Sequence, residues 1–186
     1  MLNALLDLAG PGALRLVATA DGQPLYEKLG FVVTGQIAQH QGGAIAHAPE
    51  LPVCQGGPQD LDRLIALDRA GSGLDRSALL AELTRHSTVL TTPGGAAILR
   101  RFGRGLVLGP LIAETLPAAR ALLSAASTQA EGQFLRADLV AGLGLASHAE
   151  ALGLSPVGGG TAMTRSGQPR DTGPATTYTL LSQALG

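Results

Sequence analysis

Between Ala97 and Ala126 the hydrophobic period of the chain changes once and sharply, and that change restricts what it can fold into. Ala97–Arg101 and Arg104–Leu108 are apolar runs parted by Phe102-Gly103, the pattern of two strands. Gly109-Pro110 interrupts the second of them. From there the apolar residues are Leu116, Ala119, Leu122, Leu123 and Ala126, one stripe of a helix. Thr115 is the expected N-cap, and Pro117 suits a first turn. Strand, Gly-Pro bend and helix in succession call for an α/β domain. The free amides of the helix start form a weak positive pole that favours phosphate. Two prolines remove two donors, so the cradle is weaker than a glycine-rich loop, and an ordinary strand-to-helix corner has the same sequence.

Composition removes several functions. The 186 residues are 45% hydrophobic and 15% charged, with a net charge of −1, so a sizeable core is expected and a nucleic-acid footprint is not. Trp is absent and aromatics make up 3%, which argues against a base-stacking platform. Cys54 is the one cysteine; it excludes an internal disulfide and leaves a cytoplasmic location as the default. Leu2–Leu8 is too short and acidic for a signal peptide, and no stretch is long enough to span a membrane. His40, His47, His86 and His148 lack ligand spacing, so no metal site is expected. Ser147 and Ser182 lack the glycine pattern of a nucleophile elbow.

Taken in order, Asn3–Leu8 reads as the end of a helix closed by Gly10-Pro11-Gly12. Ala13–Ala20 reads as a strand, Gly22–Leu29 as a short helix capped by Gly30, and Phe31–Gln39 as a strand. A linker is expected around Gly42–Pro52. Helices follow over Leu61–Asp68 and, capped by Asp75, over Leu79–Leu83. Val89–Thr92 and Ala96–Arg101 form a hairpin around Pro93-Gly94-Gly95. Beyond the central helix come a strand at Gln133–Val140, a helix at Leu145–Leu152 and a strand broken through Gly158–Gly160. Gln168–Pro174 reads as a loop and Thr176–Leu185 as a closing strand or helix.

Leu14–Val32 and Leu135–Val157 form an internal repeat of strand, helix, glycine cap and strand. Leu14-Arg15 meets Leu135-Arg136, and Leu29-Gly30-Phe31 meets Leu152-Gly153-Leu154. Alone, the first copy cannot bury both faces of its strands. It must dock on the main domain, dock on a second copy, which would make a homodimer, or fray.

Leu25-Tyr26-Glu27-Lys28-Leu29-Gly30-Phe31, preceded by Leu16-Val17-Ala18-Thr19, resembles the closing segment of the GNAT superfamily of N-acetyltransferases. About Pro52–Gly186 is similar to the carboxy-terminal domain of tandem GNAT proteins, through Asp68-Arg69-Ala70, Gly73-Leu74-Asp75-Arg76, Gly103-Arg104, Gly109-Pro110-Leu111-Ile112-Ala113, Asp138 and Ala162-Met163. The resemblance implies an α/β fold: a mixed, splayed β-sheet flanked by helices over residues 52–186, preceded over 1–43 by a remnant of a first GNAT domain. It implies acetyl-CoA as co-substrate, lying along Leu106, Val107, Leu108, Gly109, Pro110, Leu111, Ile112 and Ala113, and transfer of the acetyl group to an amine. The alternative is a degenerate module that keeps the fold for binding or dimerisation.

Two departures accompany the resemblance. The superfamily's pyrophosphate loop has no clean copy here. Tyr26 matches the tyrosine that protonates the departing thiolate in many members, whereas the second repeat has Ala149 at that place. Asp138, which interrupts an apolar strand, is the candidate for holding or deprotonating the amine; an ion pair with Arg136 would account for it equally. Arg101 and Arg104 bracket the cradle strand, as CoA-phosphate contacts or as solvated charge. Glu114, which would repel phosphate, is expected to face solvent. His148 neighbours the missing tyrosine and offers a substitute acid or a plain surface histidine.

Overall fold

A computed structural model describes residues 12–166 and 173–184. The expected helix at Asn3–Leu8 and most of the expected loop at Gln168–Pro174 lie outside the described residues. The strands are β1 (Leu14–Ala18), β2 (Val32–Gly43), β3 (Cys54–Gln55), β4 (Thr88–Thr92), β5 (Gly95–Phe102), β6 (Gly105–Ala113), β7 (Phe134–Val140), β8 (Ser155–Arg165) and β9 (Thr176–Thr179). The helices are α1 (Gln23–Lys28), α2 (Leu61–Ser72, entered through a 3-10 turn at Pro58–Asp60), α3 (Ser77–Thr84), α4 (Leu116–Gln129) and α5 (Ala146–Ala151). All nine strands join one sheet in the order β1-β8-β2-β7-β9-β6-β5-β4-β3, with an additional pairing of β7 to β6. Among the described residues only β6 and β7 pair in parallel. This is the mixed, splayed sheet with flanking helices that the resemblance implied.

Alternation along β5 divides the core in two. Ala97 and Leu99 face a large cluster with Leu122, Leu123 and Ala126 of α4 and Ala149 of α5. Ala96 and Ile98 face a second cluster with Leu64 of α2 and Leu80 of α3. Such alternation is what a strand buried on both sides requires. Between α2 and α3, Gly73 takes a left-handed cap at φ 62°, and buried Asp68 accepts Arg76 at 2.6 Å, locking the two helices together.

The repeat is real in three dimensions. Phe31 N donates to Tyr26 O and Leu154 N to Ala149 O, both at 3.0 Å. Gly30 and Gly153 have φ values of 82° and 83°. The two copies are intercalated: β8 of the second lies between β1 and β2, and β2 of the first lies between β8 and β7. The first copy therefore finds its partners within the chain, without a second copy.

Three local expectations are corrected. β2 runs on to Gly43, into the expected linker, where Gly42 and Gly43 pair with Leu135 and Phe134; a Cβ at Gly42 would stand 2.0 Å from Gly153 O, so only glycine lets the strand pass the turn before β8. The linker beyond is stitched down by Ala44 N to Gln133 O at 2.9 Å and Ile45 N to Leu152 O at 3.0 Å. β8 continues through Gly158–Gly160, which pair with Gln39, Ala38 and Ile37, and the register shift falls just before them at Val157, between Gln39 and His40. β6 likewise passes through Gly109-Pro110 instead of ending there. Those two residues face the single residue Ile98, a bulge in the pairing with β5; a bulge tolerates a residue with no N–H.

Candidate active site

The splay begins where β6 and β7 stop pairing. Leu106, Val107 and Leu108 pair with Leu135, Arg136 and Ala137. Past the bulge the strands part, and β9 enters between them. Leu111, Ile112 and Ala113 pair with Thr179, Thr177 and Thr176, and Leu139 pairs with Thr179 on the other side. Thr179 Oγ1 donates to Leu108 O at 3.2 Å, and Leu180 N donates to Asp138 O at 3.0 Å. Gly109 is the point of closest approach: a Cβ there would lie 2.0 Å from Leu180 O. Val107–Ala113 are buried and Leu106 is half-buried.

The helix start is similarly engaged. Thr115 is the N-cap, accepting Ala118 N at 3.3 Å. Its carbonyl takes Ala119 N at 3.1 Å, and Glu114 N donates to Gly94 O at 2.7 Å. Pro117 has no N–H. In this conformation the residues present do not fit a pantetheine arm and pyrophosphate: β9 stands in the splay, and these helix-start amides are taken.

Asp138 is 2% exposed. Arg136, two residues back and hence on the same face of β7, donates to its two oxygens at 3.1 and 2.9 Å. Gln183 Nε2 adds a third contact at 3.2 Å. The ion pair anticipated from the sequence is therefore present. Tyr26 is elsewhere. It packs edge-on against Phe31 at 5.6 Å, in a cluster with Ala18 of β1 and Met163 of β8, and β2 stands between β8 and β7. The structure does not bring Tyr26 and Asp138 together.

Other candidates sort by place. Arg101 and Arg104 sit at the β5–β6 turn, the end of β6 opposite the start of α4, and Arg104 stacks on Phe134 at 4.5 Å. Glu114 is exposed, as expected. His148 Nε2 lies 2.8 Å from Ser124 Oγ, and burial pushes its pKa below the usual histidine value. It is a tether between α5 and α4 rather than a free acid. Among the described residues no group of three metal-ligating side chains occurs, and no helix is long and apolar enough to cross a membrane.

Sequence reasoning missed the segment Thr176–Gln183 as part of this site. Its β-branched run signals a strand but not the edge that it joins. It also missed Arg100, whose Nη2 donates to Leu181 O at 2.7 Å.

The geometry has relatives. A family model described as an acetyltransferase (GNAT) domain matches residues 64–179. No curated protein matches the chain. Among solved structures, a putative acetyltransferase from Pyrococcus horikoshii is 21% identical with a TM-score of 0.73, over 100% of this chain and 64% of that one. A GCN5-related N-acetyltransferase from Kribbella flavida is 17% identical with a TM-score of 0.59, over 88% of this chain and 45% of that one. Eis1 from Mycobacterium abscessus gives 17% and 0.59, over 88% and 49%. At these identities the likeness shows the fold, and the chain spans less than two thirds of each of these proteins.

Proposed function

The chain belongs to the GNAT acetyltransferase family, and from that premise we propose that it is an acyl-CoA-dependent N-acyltransferase. It would move an acetyl group from acetyl-CoA to a primary amine of a small molecule or peptide by direct attack. The observation that carries the reading is the divergence of the parallel strands β6 and β7 beyond Leu108 and Ala137, with α4 starting shortly after β6. Diverging strands leave main-chain groups that a ligand in extended form can pair with. Leu106–Ala113 would line the donor in this way, with Leu111–Ala113 giving it the hydrogen bonds that β9 now takes. Asp138 would receive the acceptor's ammonium and draw off its proton; the amine nitrogen then attacks the thioester carbon, the C–S bond breaks, and the thiolate takes a proton from solvent. Tyr26, the acid suggested by resemblance, belongs to the first repeat and has no part at this splay. We place the protein in the cytoplasm, with its donor.

On this reading one segment closes both halves of the site. β9 fills the donor's place and Gln183, four residues on, covers Asp138. Removal of β9 therefore opens both. Titration with acetyl-CoA tests it: a saturable thermal shift supports the enzyme, and a chain truncated before Ala175 should bind at least tenfold tighter than the intact chain. A second reading, a GNAT-fold binding module without catalysis, is favoured by the occupation of the splay. It predicts no shift with millimolar acetyl-CoA in either chain.

A further inference from the structure

The face of the sheet that carries Asp138 also carries a charge that the reaction leaves unused. Val107 of β6 pairs with Arg100 on one side and Arg136 on the other, so the two arginines lie level, one strand either side of it. Phe102 lies beside both: its ring centroid is 5.7 Å from the Arg100 guanidinium and 5.4 Å from that of Arg136. Phe102 is 46% exposed. Both distances fall in the range at which a guanidinium is attracted to an aromatic face.

The charges do not balance. Arg136 is spent on Asp138, which it grips with two hydrogen bonds. Arg100 gives Nη2 to a backbone carbonyl, and its Nε is buried without an acceptor. Burial and the neighbouring Arg136 both weaken its hold on its proton, and Asp138 only partly compensates. Arg100 also lines a shallow depression of about 420 Å³ with Glu82, Leu83, His86, Ser87 and Arg101. Glu82 there is paired with Arg85 at 3.4 Å. A guanidinium that keeps donors in its planar fork matches a carboxylate or phosphate edge.

We infer that Arg100, flanked by Phe102, binds an oxyanion, and that the acceptor amine carries one. The second half rests on the acyltransferase reading. The site is level with Val107, just before the strands part, whereas the donor's phosphates would lie at the other end of β6. Arg100 on β5 and Asp138 on β7 are separated by two strand spacings, roughly 10 Å. An acceptor whose amine reaches Asp138 while its carboxylate or phosphate reaches Arg100 is thus a short, zwitterionic molecule.

Saturation-transfer NMR on the full chain tests this with two matched pairs, β-alanine against β-alaninamide and phosphoethanolamine against ethanolamine. The oxyanion-bearing member of each pair should bind at least tenfold tighter than its neutral partner, and the pair with the larger preference identifies carboxylate or phosphate as the natural group. Arg100→Gln should abolish the preference, whereas Arg104→Gln, a charge-matched change at the nearby turn, should keep it. Phe102→Leu leaves every charge in place and should reduce the preference severalfold. Equal binding within both pairs, or a preference that survives Arg100→Gln, overturns the site. Acetyl-CoA binding is measured on the same samples. Its absence with the preference intact overturns the acceptor role alone and leaves the oxyanion site standing.

Discussion

The two repeats share a frame to within the tolerance of a hydrogen bond and differ in what surrounds it. In the first, α1 has no buried residue, and its cluster holds three buried side chains, Ala18, Phe31 and Met163. In the second, Leu145, Ala149, Leu152 and Leu154 are all part of the main core with α4. Tyr26 and Ala149 occupy the same place in the frame. A tyrosine is tolerated in the first because little covers α1; alanine is needed in the second because α4 does. The missing tyrosine thus follows from packing: the repeat that lies beside the splay has no room for that side chain.

Removing the first repeat should break the comparison most completely. A chain starting at Ala44 loses β2 and so exposes the inner edges of β7 and β8; calorimetry should find no cooperative transition. Exchanging the matched residues comes next. Ala149→Tyr should cost about 3 kcal/mol or more by overpacking, whereas Tyr26→Ala should cost about 1–2 kcal/mol, below the usual figure for a buried aromatic; urea melts of both decide it.

The capping glycines sharpen the same contrast. A Cβ at Gly153 would meet Gly43 O at 2.5 Å, while at Gly30 the nearest atom is Arg165 Nε at 3.8 Å. Gly30→Ala should therefore cost only the left-handed backbone penalty, about 1–2 kcal/mol, and Gly153→Ala about 3 kcal/mol in total.

The smallest expected effect is a pH slope confined to the second repeat. Burial lowers the His148 pKa in the folded protein, so the unfolded chain binds its proton first as pH falls. Its contribution is complete above about pH 6.5 and declines below that. His148→Gln should flatten the melting temperature between pH 7.5 and 5.5. The matching residue of the first repeat is Leu25, 52% exposed, and Leu25→Gln should leave the slope unchanged.

What was legible in the sequence was local. The Thr115 cap, the β4–β5 hairpin, the α4 stripe and the glycine caps each depend on residues within one or two turns of one another. The Arg136–Asp138 pair was legible for the same reason, since residues two apart share a face of a strand. The insertion of β2 beside β7 and the entry of β9 into the splay depend on which distant edges stand open, and no short pattern records that. Arg100 was missed because its neighbours come from register: the bulge at Gly109-Pro110 sets which residue of β6 it faces, and β7 then brings Arg136 level.

Intercalation also imposes an order in time. Ile37 pairs with Val140 and Gln36 with Thr161, so on a ribosome adding about 5–20 residues per second β2 is complete for several seconds before either neighbour exists. A hydrophobic strand left waiting would find other chains. β2 instead carries Thr34, Gln36, Gln39, His40 and Gln41 and three glycines along its 12 residues. Such a strand is a poor seed for aggregation and waits in water at little cost. The polar character of β2 is thus suited to a strand whose partners are made last.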